Sequence, residues 1–279
     1  MRGEYLFGVR CPTPTDTRGF TRADLVAVGA VVALLGLLLL PVFGDSERNS
    51  RAAVCSINIK RLIGGWSAFP ADHADALPFN ANAPIGQYDW CGSSFMDLTQ
   101  SNPNNWNHAL YTKRGQLWPY VLDTSAFSCP DDPTRARASS GPDTGRYVPR
   151  IRSYSMNSWI GGMAWNGPAW TLYTNLAQVT AAGPDQLWVL IGERPDSIND
   201  GLFIVDMTGY PTSPTQYRMV DFPAYYHGRG AMVGFADGRA QVRIWRDIRT
   251  VPAGPILNSP QPNNLDILWL QERSTRKSN

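Results

Sequence analysis

The chain opens its hydrophobic pattern with an uninterrupted apolar run, residues 25–43, that contains no charged side chain. Its length is about what a helix needs to cross the hydrocarbon core of a bilayer, so it predicts a membrane-spanning helix. A cleaved secretory signal would be shorter and would be followed by small residues, whereas Pro41 and Phe43 close this run. The pattern then turns amphipathic. Ala52, Cys55, Ile59, Leu62, Trp66 and Phe69 recur at spacings of three and four, while Arg48, Arg51, Lys60 and Arg61 lie off that stripe. One long helix is therefore expected over 20–69, lipid-facing in 20–43 and docked on a globular domain afterwards. Gly64-Gly65 should loosen its end and Pro70 should stop it.

Residues 70–150 hold many Pro, Asn and Asp and few periodic runs, which predicts long loops with one helical piece over 117–122. A short strand is expected at 153–157, and the continuous apolar run 187–193 reads as a central strand. Residues 201–207 suggest a further strand. Residues 231–235 and 240–245 flank Asp237-Gly238, a hairpin signal. The fold class is α+β: an antiparallel sheet packed on the long helix, with 70–279 as one extracytoplasmic domain.

Composition changes this picture little. The formal net charge is +2 and 17% of residues are charged, so no basic surface calls for a nucleic-acid partner. The 25 Gly, 22 Pro and 10 Trp suit an irregular, loop-rich domain. Cys11, Cys55, Cys91 and Cys129 form no CxxC pair, which leaves zinc ribbons and thioredoxin-like sites without support. If residues 1–19 are removed, three cysteines remain, enough for one disulfide and an odd thiol. Cys55 with Cys129 is the expected pair, since each sits in a segment that reads as structurally important; three reduced, buried thiols are the alternative.

A polar leader with Arg2, Arg10 and Arg18 runs into Gly19-Phe20-Thr21-Arg22-Ala23-Asp24 and then directly into the apolar run. This resembles the type IV prepilin cleavage and methylation signal. The resemblance implies that a prepilin peptidase cuts between Gly19 and Phe20 and methylates the new amino group of Phe20. Asp24 stands where that family usually carries Glu, and Arg22 replaces an apolar residue. Physical chemistry gives the carboxylate a task of its own: at the edge of a membrane helix it is costly unless paired, and the α-amino group of a neighbouring subunit is a suitable cation. Asp24 would then set subunit register. The plainer alternative is an acidic residue at a helix start.

Farther on, His227 is separated by nine residues from Asp237-Gly238. That spacing resembles the His-X9-Asp-Gly motif of a large planctomycete-type family of prepilin-processed proteins. Cys55, Asn58 and Lys60, Asp72-His73 with Leu77-Pro78, Cys129-Pro130-Asp131, Ser153-Tyr154 with Asn157, and Glu193 also match it, in order along nearly the whole chain. The resemblance implies a pilin-like or type II secretion pseudopilin-like subunit. Its partners would be the peptidase, other pilin-like subunits and the membrane, with a single pass through the inner membrane and the C-terminal domain in the periplasm or envelope.

No catalytic residue is expected. The three histidines, His73, His108 and His227, accompany no Gly-x-Ser-x-Gly elbow and no Cys-His signature. His227 and Asp237 are expected to face each other across the hairpin as a polar clasp. No cofactor is required, although Asp131-Asp132 and the stretch 196–200 offer oxygen ligands that suit calcium as well as turn capping. Trp159, Trp165, Trp170 and Tyr173 lie among Gly and Pro; they either cover a small core or form an exposed binding surface for a glycan or exported protein. The second possibility defines the alternative function, a tethered binding module that does not polymerise.

Overall fold

The computed structural model describes residues 21–278, apart from 82, 94, 98–101 and 163–168, and gives only the backbone for 36–48. Gly19, Phe20 and Trp165 lie outside the described residues. The chain divides into two compact units, Met1–Glu47 and Arg48–Asn279.

In the first unit, helix α1 (Arg22–Asp72) begins with a reciprocal cap. The Thr21 backbone N–H donates to Asp24 Oδ2 at 2.8 Å, and the Asp24 N–H donates to Thr21 Oγ1 at 3.2 Å. Two amide donors that a helix start leaves open are thereby satisfied, so Asp24 has the local role of the plainer alternative. Every described side chain of 25–35 is exposed. Among the described residues no helix is long and apolar enough to cross a membrane; the described side chains of the apolar run end at Leu35.

In the second unit the remaining turns of α1 carry the expected stripe. Cys55, Ile59, Leu62, Ile63, Trp66 and Phe69 are buried, whereas Arg51, Lys60 and Arg61 are exposed. The helix passes through Gly64-Gly65 unbroken. A helical Gly costs about 1 kcal/mol against Ala, less than burial of the flanking Leu62, Ile63 and Trp66 supplies at roughly 1.5–3 kcal/mol each. It also runs past Pro70 to Asp72. There the Pro70 carbonyl accepts from the N–H groups of both His73 and Asp75, with Ala74 and Asp75 at positive φ. Pro70 thus ends the helix through its carbonyl, two residues late.

Short pieces follow: helix α2 (Trp118–Val121) and strands β1 (Arg135–Arg137) and β2 (Tyr147–Pro149), which pair with each other. The principal sheet takes β3 (Tyr154–Asn157), β4 (Trp188–Gly192), β5 (Leu202–Phe203), β7 (Gly230–Phe235) and β8 (Ala240–Ile244) in the order β5-β3-β4-β7-β8. Strand β4 is central and wholly buried, as its apolar run predicts. The sheet is not purely antiparallel. After β4 the chain turns back and steps across to the far side of β3, so β5 runs parallel to β3, and the strand expected over 201–207 is only two residues long. Strands β7 and β8 form the expected hairpin, whose turn holds Gly238 at φ +88°. Strands β6 (Arg218–Met219) and β9 (Ser259–Pro260) make a separate two-stranded ladder.

The sheet lies between two apolar layers. Tyr154, Met156, Leu190 and Met232 pack with the buried stripe of α1. Trp188, Ile191, Val233, Phe235 and Trp245 pack on the other side with Ile267 and Leu270 of helix α4 (Leu265–Glu272). A short helix α3 (Leu176–Ala182), started by an Asn175–Gln178 capping box, leads into β4. Helix α1 approaches the sheet closely at Gly234: a Cβ built there would lie 2.9 Å from Ile63 Cγ1 and 3.3 Å from Ile59 Cγ1. Gly234→Val is expected to push the helix off the sheet and cost about 2 kcal/mol, read as a lower urea midpoint, while Lys60→Ala on the exposed face leaves the midpoint unchanged.

Candidate functional site

Where α1 meets the sheet, five matched side chains converge. Cys55 lies at the head of the buried stripe. Cys129 follows a 3-10 turn (Thr124–Phe127), and that turn is pinned to the helix by Asn58, whose Nδ2 donates to the carbonyls of Ser125 and Ser128 at 3.1 and 3.0 Å. Tyr154 comes from β3. His227 is presented just ahead of β7 by a tight turn in which His227 and Gly230 exchange backbone hydrogen bonds. Asp131 comes from the loop after Cys129.

The contacts form a chain. Cys55 Sγ donates to Cys129 Sγ at 2.7 Å and lies 2.8 Å from the Tyr154 hydroxyl. Cys129 Sγ is 3.4 Å from His227 Nε2. His227 Nδ1 lies 3.1 Å from Asp131 Oδ2, and Asp131 Oδ1 is 2.7 Å from Arg51 Nε of α1. A proton on Nδ1 satisfies Asp131 and turns Nε2 toward the thiol, the division of labour by which a carboxylate orients an imidazole. Both cysteines are buried and carry no disulfide.

The two thiols are driven apart in acidity. The hydrogen bond from Cys55 and then His227 stabilise the Cys129 thiolate against the cost of burial and bring its pKa below the usual thiol range. Burial, then the hydrogen bond to Cys129 and the charge there, push the Cys55 thiol far up, so it stays protonated. Burial disfavours the His227 imidazolium, but Cys129 and Asp131 more than offset it and its pKa is raised. The environment thus favours a thiolate at Cys129, facing a His227 whose protonated form is also favoured, beside a second thiol that holds its proton. Cys91 stands apart, buried and held well above the usual thiol range by desolvation and the nearby Asp89.

Cys55, Cys129 and His227 are the group of His, Cys and acidic side chains, among the described residues, whose ligand-type atoms lie within 4.8 Å of one another. Two thiols in contact beside an oriented imidazole are a donor set for zinc as well as for sulfur–sulfur chemistry. A cleft of about 660 Å³ lined by Trp106, His108, Lys113 and Asp143, and one of about 420 Å³ lined by Ile85, Asp89 and Asp200, include none of the five residues.

Several expectations are corrected here. His227 does not face Asp237: the two occupy opposite ends of the extended β7, about 20 Å apart at some 3.4 Å per residue. Asp237 instead caps its own turn, accepting from the Arg239 N–H at 3.0 Å. The histidine's carboxylate partner is Asp131, and the absence of a local Cys-His signature hid a pair 98 positions apart. Asp131 is committed to Arg51 and His227, and Asp132 to Arg150, to the Ser153 hydroxyl and to the Thr134 N–H. Of the 196–200 stretch, Asp196 pairs with Arg194 and Asp200 accepts from the Leu202 N–H. These carboxylates serve arginines and turns. Trp159 and Tyr173 are core residues, Trp159 donating its indole N–H to the Val205 carbonyl at 3.0 Å, and Trp170 is half-buried on Tyr210. Among the described residues, Trp159 and Tyr173 therefore cover a core, and Trp165 lies outside them.

Comparison with family models, curated proteins and solved structures finds no match for this chain.

Glu193, beside this cluster, is buried. Desolvation and the nearby Asp221 hold its pKa well above the carboxylate range, against the Ser155 and Ser197 hydroxyls and Arg152. Desolvation also raises Asp221 to about 7. A raised folded pKa means stability that is complete below the unfolded carboxyl pKa of about 4 and is lost as pH climbs through the folded value. Glu193→Gln, which stays neutral, is expected to gain stability relative to the parent as pH rises from 5 to 8; equal pH slopes in thermal melts of the two proteins contradict this account.

Proposed function

We propose that this chain is a pilin-like, pseudopilin-like subunit of a type II secretion or type IV pilus related envelope assembly. It enters the inner membrane through the first half of α1 after prepilin-peptidase cleavage between Gly19 and Phe20. The observation that carries the reading is the contrast within one helix. Its later turns bury a single stripe on the sheet, while Leu25, Val26, Val28, Val31, Val32, Leu34 and Leu35 are all exposed, between 54% and 72%. A helix apolar on every side needs lipid or other apolar helices around it. The resemblance of residues 19–24 to the prepilin signal supports the route, and the resemblance through His227 and Asp237-Gly238 supports the family.

On this reading the sheet and loops stand outside the cytoplasm, and the protein works through helix packing without turnover. Asp24 then holds two positions in succession. It caps its own helix through Thr21, and within an assembly its carboxylate meets the methylated amino group of a neighbour's Phe20.

Co-expression with a prepilin peptidase, followed by mass spectrometry of the N-terminus, is expected to give a chain starting at N-methylated Phe20. An intact Met1, or a cut beyond residue 43, removes the reading. Asp24→Ala is expected to leave cleavage in place while sharply reducing cross-links between α1 helices of neighbouring copies.

A further inference from the structure

We infer that Cys129, His227 and Asp131 form a thiol–disulfide exchange centre that opens and closes a bond to Cys55, joining α1 to the sheet domain. The geometry carries this: a sulfur within 3.4 Å of an oriented imidazole, a carboxylate 3.1 Å behind the ring, and a second sulfur at 2.7 Å with no other covalent partner. The inference does not depend on the membrane reading, since all four residues belong to the unit Arg48–Asn279.

The groups around Cys129 come from every side. Cys55 belongs to α1, Tyr154 to β3, and Tyr226 and His227 to the turn before β7. Asp131 lies in the loop and is itself paired with Arg51, and Asp132 is held by Arg150. Cys129 retains 5% exposure and Cys55 none, so an incoming disulfide reaches Cys129 first. The Cys129 thiolate attacks one sulfur of a disulfide-bearing oxidant, RSSR, giving a mixed disulfide and one departing thiolate, which takes the proton held by the His227 imidazolium. The His227 imidazole, neutral after that transfer, takes the Cys55 proton; the Cys55 thiolate attacks Cys129 sulfur, and the second RS thiolate leaves with the proton from His227. One RSSR and two protein thiols give one protein disulfide and two RSH, with two electrons passing to the oxidant. In the reverse direction His227 stabilises Cys129 as the departing thiolate, which makes this bond easier to reduce than one between ordinary thiols.

The test uses the full-length protein in detergent, reduced and then alkylated with iodoacetamide across a pH series, with modification at Cys129 read by peptide mass spectrometry. Reactivity is expected to titrate well below the roughly 8.5 of a free thiol, as the stabilised thiolate requires. In His227→Ala the midpoint should rise and the rate at neutral pH should fall about tenfold, with Asp131→Asn moving it the same way by less. Oxidised glutathione should yield a Cys55–Cys129 linkage, and in Cys55→Ser the glutathione should stay on Cys129. An ordinary midpoint in the parent protein overturns the inference by itself, whether or not the variants fold. So does a parent mixed disulfide that never resolves to Cys55, or a stoichiometric zinc ion shielding both sulfurs from alkylation.

Discussion

The structure depends on the docking of one helix face against the middle of one sheet. Strand β4 is buried throughout, and its neighbours β3 and β7 supply Tyr154, Met156 and Met232 to the layer that covers the α1 stripe. The contact is close because Gly234 puts no side chain between strand and helix, so Ile59 and Ile63 rest nearly on the backbone. Dispersion forces fall steeply with separation, and an added methyl group here loosens many contacts at once. The opposite face of the sheet has its own apolar layer under α4, so that neither face has to be covered by solvent-facing loops alone.

Around this apolar junction the charges are arranged in pairs. Arg51 meets Asp131, which meets His227; Arg150 meets Asp132, and its guanidinium also reaches the Glu193 carbonyl at 2.9 Å. Breaking a buried pair by removing one partner leaves a charge without water or counterion, which is why such a network fixes a single loop path where two loops and a helix must meet. The loop after Phe127 thereby delivers Cys129 and Asp131 to one point. The same pairing sets the ionisation of the thiols: an imidazole oriented by Asp131 faces Cys129, while Cys55 is enclosed by a protein interior that disfavours its anion.

What could be read from the sequence followed the range of the forces involved. Periodicity marked the buried stripe from Cys55 to Phe69, the central run at 187–193 and the hairpin around Gly238, because each is decided by a residue's near neighbours in the chain. It mistook Asp237 for the partner of His227, since proximity along a hairpin sequence says nothing about which end of a strand a side chain occupies. Asp131 belongs to a local motif, but only tertiary packing brings it to the ring of His227, 96 positions away. Helices α3 and α4 escaped notice because they are short, and their caps, Asn175 and Asn264, read equally well as loop residues. The parallel placement of β5 depends on a crossover that no local pattern records. The aromatic residues were ambiguous for another reason: Gly and Pro around Trp159 suggest exposure, yet a single satisfied indole N–H allows full burial.

Cys55 is the first fully buried residue of the docked stripe, ahead of Ile59, Leu62 and Trp66 along α1. Tension entering along the helix from the Arg48 side would therefore arrive at the sulfur pair before it arrives at the apolar contacts. Without a bond there, the interface yields like a peeled strip, one turn after another from its leading edge. With a bond, the load passes sideways into the sheet at that first turn, and the contacts behind it are spared.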